Sequence, residues 1–248
     1  MLREACARAR QWVDAGLPTI SMAVNVSTVE LRGEGFLERC VAALHDTGMV
    51  PSSLELELTE SVLLTHAEPA ARILQTLREQ GVSAAIDDFG TGYSSLSYLS
   101  RFPIDALKID RSFVNQITPG GGQGSTIVKA VIGLAQSLNL RVVAEGVETA
   151  EQLEFLRAHH CDEAQGFLFS RPVPSDQFAQ LLRTGISREI VGMTQPIRNR
   201  REFGHSPSAL AAKNPAGGGP PRSGDAAPTT SWRRRVSSGG SGRPPAPG

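Results

Sequence analysis

A chain of 248 residues with 25 basic and 25 acidic side chains is long enough to bury a sizeable core, as one large domain or two small ones. Three widely separated cysteines, Cys6, Cys40 and Cys161, with no Cys-x-x-Cys, argue against a disulfide framework or a zinc site and for reduced, mostly buried thiols. The charged start up to Arg8 and the lack of a membrane-length apolar run argue against a signal peptide or membrane segment, so a cytoplasmic location is expected.

Short apolar runs alternate with amphipathic stretches from residue 1 to about 185. The pattern predicts a strand over 20–26, a helix over 35–47 stopped by Gly48, and a strand over 54–58. A helix over 69–80 follows, opened by a Thr65-x-x-Glu68 capping box and stopped by Gly81. Strands over 82–86 and 106–109 come next, then a helix over 126–138 and a strand over 141–144. A helix over 150–159 opens with Thr149-x-x-Gln152, a sixth strand covers 164–168, and Gly185 closes the last periodic stretch. The glycine-rich run 120–124 lacks the Lys-Ser/Thr ending of a phosphate loop and reads as a flexible connection. Repeated βα units of this length predict an α/β fold with a parallel sheet, doubly wound or closed as a barrel.

Beyond residue 185 the periodicity dissolves into Pro, Gly and Ser, and 186–248 reads as a disordered, basic, low-complexity tail. Residues 196–248 hold nine basic and two acidic side chains, and residues 1–195 hold sixteen and twenty-three. The body is therefore as acidic as its tail is basic. Trp232 and Arg233–Arg235 could touch nucleic acid or an acidic surface, but a solvated tail with no partner, DNA and RNA included, is the expectation. An acidic body binds a phosphate ester only with metal ions between its carboxylates and the phosphate.

Polar residues recur at one end of the predicted strands: Asn25; Glu57 and Glu60; Asp87 and Asp88; Lys108 and Asp110; Glu145; Gln165. In a parallel barrel these ends converge on one mouth, where active sites lie. Adjacent aspartates at the end of a buried strand repel each other and lose hydration, which a cation relieves. The donors are all oxygens, with no histidine among them, which suits Mg²⁺ or Mn²⁺. Asp87 beside Asp88 could bridge two cations about 3.5–4 Å apart, the arrangement used for phosphodiester hydrolysis. Lys108 shares a strand face with Asp110 and can orient a water or offset charge in the transition state.

Six segments carry a resemblance: Asn25-Val26-Ser27; Glu57-Leu58-Thr59-Glu60-Ser61; Asp87-Asp88-Phe89-Gly90-Thr91-Gly92 running on to Leu96; Lys108-Ile109-Asp110-Arg111; Ala144-Glu145-Gly146-Val147-Glu148; and Gln165-Gly166-Phe167. In this order and spacing the chain resembles the EAL-domain cyclic di-GMP phosphodiesterases from Met1 to about Leu182. The resemblance implies a TIM-like (β/α) barrel over residues 1–185 and hydrolysis of one phosphodiester of cyclic di-GMP to linear pGpG by two Mg²⁺ or Mn²⁺ ions. By that resemblance Asn25, Glu57 and Asp87 hold the first metal, and Asp88 and Asp110 hold a second that Asp87 bridges. Lys108 and Glu145 position or activate the water, Gln165 supports the site, and Glu60 anchors the 88–96 loop, which in this family also serves a homodimer.

The chain departs from the family in one respect: no Glu-Ala-Leu occurs in it. That motif supplies the family with a metal-ligating Glu and, just after it, a phosphate-contacting Arg. About six of a barrel's eight strands are counted, with the barrel incomplete at the N-terminal side and an open sheet edge there. Three readings follow: a phosphodiesterase weakened by one missing ligand, an inactive binding or regulatory module, or a fragment with a misassigned start.

Overall fold

In the computed structural model the described residues are 1–63, 67–92, 99, 101–118, 122–184 and 235–237. Helix α1 (Leu2–Asp14) buries Ala5, Cys6, Ala9 and Trp12, spaced by three and four residues as one helical face requires. It packs on α3 (Phe36–Thr47), which buries Phe36, Cys40, Ala43 and Leu44. Between them lie strand β1 (Ser21–Val26) and the short α2 (Thr28–Arg32). A capping box starts α2: the Ser27 hydroxyl accepts the Glu30 N–H at 3.1 Å, and the Glu30 carboxylate accepts the Ser27 N–H at 3.0 Å. Gly48, in the left-handed region, ends α3 as the sequence predicts.

The chain continues through β2 (Leu54–Thr59), α4 (Ala67–Glu79), β3 (Ser83–Phe89), β4 (Ala106–Ile109), α5 (Arg111–Val114) and α6 (Gln123–Ser137). It then forms β5 (Arg141–Ala144), α7 (Ala150–Ala158), β6 (Glu163–Ala164) and α8 (Ser175–Thr184). The predicted Thr149 to Gln152 capping box opens α7. Strands β1 to β6 pair in parallel in sequence order, and this six-stranded sheet curls into part of a (β/α) barrel. One face carries Leu56, Leu58, Ile86, Leu107, Ile109 and Val142, packed in one cluster with Leu74, Leu77, Val128, Ile132, Leu153 and Leu156 of the helices. Each such leucine contributes roughly 1.5–3 kcal/mol on burial.

The concave face is different. Glu55 and Glu57, alternating with the leucines of β2, are each 1 % exposed. The alternation of a strand with one wet face is here that of a strand whose polar face is enclosed by the curl. Lys108 and Arg141 supply the opposite charges from β4 and β5.

Four elements differ from expectation. Strand β3 runs on to Phe89, because Phe89 is buried and pairs with Ile109 after a register shift past Ile86. Strand β6 is two residues long; beyond it Gln165 and Leu168 bond to Val147 from a turn rather than a ladder. Helix α6 begins three residues early, so Gly124 lies in its first turn, where a Cβ would strike Gln116. Within the tail expected to be disordered, Arg235–Ser237 form β7, parallel to Ser21–Ala23 on the outer edge of β1. An edge strand's free N–H and C=O groups favour such an addition. The Thr65 capping box, Gly185 and the rest of 186–248 lie outside the described residues.

All three cysteines are free and buried, as expected. Among the described residues no helix is long and apolar enough to cross a membrane. Helix α8 returns to α1, where the Phe178 ring lies 5.1 Å from that of Trp12 and Leu182 is buried.

Candidate metal centre at the carboxyl ends of the strands

Lys108 sits at the centre of the concave face, 2 % exposed. Its Nζ lies 2.8 Å from Glu57, 2.8 Å from Asp87 and 2.5 Å from Glu145. These carboxylates come from β2, the end of β3 and the residue after β5, so the ammonium gathers three strands besides its own. Burial pulls its pKa down, but Glu57, Glu145 and Asp87 together outweigh that and raise it. The lysine is therefore charged at every working pH. One ammonium among three carboxylates still leaves an excess of negative charge, which Asp88 and Asp110 at the same rim increase.

Glu145 answers that excess. Burial raises its carboxyl, and although Lys108 opposes the shift, Asp87 and Glu57 add to it, leaving it at about 7. Gln165 Nε2 donates to the same carboxylate at 2.6 Å and fixes its orientation. Gly146 lets the chain leave β5 at once: its φ of +68° is left-handed, and a Cβ there would strike Arg111. A carboxyl raised from 4.5 to about 7 keeps its proton in the fold at pH values where the unfolded chain has released it. Stability therefore falls as pH rises between those values, and the cost is complete above the upper one. It amounts to roughly 3 kcal/mol at most. In EDTA, Glu145→Gln is expected to match the parent protein near pH 4 and exceed it at pH 8, read as urea midpoints.

Asp87 and Asp88 diverge although adjacent. Asp87 Oδ1 accepts the Asp88 N–H at 3.1 Å, and Asp88 takes a φ of +52°, which turns its side chain outward at the register shift of β3. Burial raises the Asp88 carboxyl, and Asp87 and Asp110 raise it further. In Asp110 burial pushes the same way, but the Ser112 hydroxyl and N–H, both donating to Oδ1, bring the net shift down. As pH falls, Asp88 is thus the first of the two to protonate, and it donates to Asp110.

Every expected site residue lies at this end of the sheet. Carboxylate oxygens of Asp87, Asp88 and Glu145 all fall within 4.8 Å of one another, the spacing of a divalent cation's ligands. Glu145, expected to handle a proton, thus stands among the residues that could hold a metal. Glu57 is engaged by Lys108, Asn25 is its neighbour in register on β1, and Asp110 is tied to Asp88. Glu60, 5 % exposed, accepts the Gly90 N–H at 3.2 Å and holds the start of the following loop. Residues 93–98 of that loop lie outside the described residues. The partly exposed, oxygen-only donor set with excess negative charge fits a hard divalent cation. The sequence reading missed the buried Glu55 and the half-buried Arg141 and Glu163 at the opposite pole; the signal for them was a glutamate alternating with Glu57 on β2.

Comparison with known proteins places this geometry. The EAL domain family model matches residues 1–172. A cyclic di-GMP phosphodiesterase of Pseudomonas aeruginosa, NbdA, is 46 % identical over 183 residues, 74 % of this chain but only 23 % of the relative's own length. The EAL domain of Mycobacterium smegmatis DcpA superposes with a TM-score of 0.71 at 43 % identity, covering 75 % of this chain and 83 % of that one. A manganese and cyclic di-GMP complex of Klebsiella pneumoniae BlrP1 gives 0.62 at 35 % identity, covering 70 % and 43 %. With more than half its length matched by one family and its carboxylates gathered at the strand ends, the chain belongs to the EAL domain family.

Proposed function

We propose that this chain hydrolyses one phosphodiester of cyclic di-GMP, releasing linear pGpG. The observation that carries the reading is the cluster of Asp87, Asp88 and Glu145 around a buried, permanently charged Lys108. Relatives named for this activity and a neighbour with manganese and the nucleotide support it. Asn25, Glu57, Asp87, Asp88 and Asp110 would hold two Mg²⁺ or Mn²⁺ ions, whose chemistry when bound is to acidify a water and offset phosphate charge.

The chain's own residues do the rest. Glu145, oriented by Gln165, takes the proton from the attacking water. The water oxygen bonds to phosphorus as the ester bond to the ribose breaks, and the leaving oxygen is protonated from solvent. Lys108 supplies fixed positive charge close to the reacting phosphate. Glu60 anchors the start of the 88–96 loop, through which two copies pair, and the residues that carry the chemistry all precede residue 186.

Incubation with Mn²⁺ and cyclic di-GMP, followed by chromatography, is expected to yield pGpG. Calorimetric nucleotide binding without pGpG would instead make the chain a receptor.

A further inference from the structure

At the pole opposite the metal centre, Arg141 at the start of β5 bridges two carboxylates. Its Nη2 lies 2.5 Å from Glu55 on β2, and its Nη1 lies 2.5 Å from Glu163 on β6. Strands β2 and β5 are not neighbours; β3 and β4 run between them. At about 4.8 Å per strand spacing, three spacings put them roughly 14 Å apart in a flat sheet. The Arg141 to Glu55 contact therefore exists only because the sheet is curled, and small side chains at Ala85 and Ala106 leave the guanidinium room to cross. The same three strands carry the site further along: Glu57 two residues after Glu55, Glu145 four after Arg141, Gln165 two after Glu163.

We propose that Arg141 is a positioning residue: by clamping Glu55 and Glu163 it sets the curvature that gathers Glu57 and Glu145 around Lys108, with Gln165 on Glu145, and so brings Glu145 within ligand spacing of Asp87 and Asp88. In assigning that spacing to metal binding, the inference rests on the proposed function. Arginine suits the task because its planar fork reaches two carboxylates at once, whereas a lysine ammonium is a point charge. The bridge is weak evidence for stability in itself, since a buried ion pair replaced as a whole is often neutral.

The test measures Mn²⁺ binding by the full chain, from the electron paramagnetic resonance of free Mn²⁺, together with amide exchange. Arg141→Met is expected to weaken Mn²⁺ binding about tenfold or more, as loss of a supporting contact does at metal sites. Arg141→Lys should fall between Arg141→Met and the parent. Arg78→Met, which breaks only the half-exposed 3.6 Å pair with Asp105 at the same pole, should leave binding unchanged. If Arg141→Met folds poorly, the neutral triple variant Glu55→Gln, Arg141→Met, Glu163→Gln should regain folding and still bind Mn²⁺ weakly. Parental affinity in either Arg141→Met or the triple variant overturns the proposal. Should the parent chain bind no Mn²⁺, the proposed function fails and amide exchange decides. Acceleration by Arg141→Met confined to the Gln165 and Val147 amides, which join β5 to the segment after β6, supports the clamp. Uniform acceleration, or none, overturns it.

Discussion

Replacing Lys108 by methionine is expected to cost about 3–5 kcal/mol of stability at pH 8, the usual penalty for stripping a buried charge of its partner. Methionine keeps the length of the side chain, so little volume is lost and the effect isolates the charge. Without the ammonium, Glu57, Asp87 and Glu145 face one another across a space from which water is largely excluded. Protonation relieves them, so the loss should shrink steadily towards pH 5. The lysine's own contribution runs the other way: with its folded pKa raised, it is fully present below the unfolded value of about 10.4 and lost only above it. Urea unfolding of parent and variant at pH 5 and pH 8 checks this, and an equal loss at both would mean that carboxylate repulsion is not its source.

Asp87→Asn is expected to abolish pGpG formation, by at least about 10³-fold, while costing less stability than the Lys108 variant. The amide is isosteric and still offers an acceptor to the Asp88 N–H, and Lys108 retains Glu57 and Glu145. What disappears is an anionic oxygen from the trio that could share a cation. Mn²⁺ binding should therefore fall with activity, and parental turnover in this variant would remove Asp87 from the centre. Because the two substitutions act on opposite charges of one ion pair, their stability effects should not add.

The elements with the simplest surroundings were the most legible. Strands β4 and β5 span the residues that their apolar runs mark out, each run closed by a carboxylate, Asp110 or Glu145. The Thr149 capping box and the Gly48 stop follow from local hydrogen bonding and a left-handed turn, which need no tertiary context. The Ser27 to Glu30 box was equally local and went unread beside the Asn25 segment. The carboxylates of the site were visible because acidic residues ended apolar runs. Their grouping was not: Glu145 joins Asp87 and Asp88 through curvature, and Asp88 turns outward within β3 at a left-handed residue and register shift that the apolar run does not mark. Glu55 was hidden for a related reason. In a sequence, an alternating glutamate looks solvated, and only the path of β5 brings Arg141 over it.

The contact between Trp12 and Phe178 bears on how the protein comes into being. Helix α1 is the first described helix to leave the ribosome, and the aromatic partner for its tryptophan is translated some 166 residues later. At about 5–20 residues per second, α1 waits on the order of ten seconds or more with an apolar face only partly covered by α3. A nascent chain arrested before Phe178 should hence remain a substrate for chaperones that bind exposed apolar helices, and its release from them should coincide with emergence of α8.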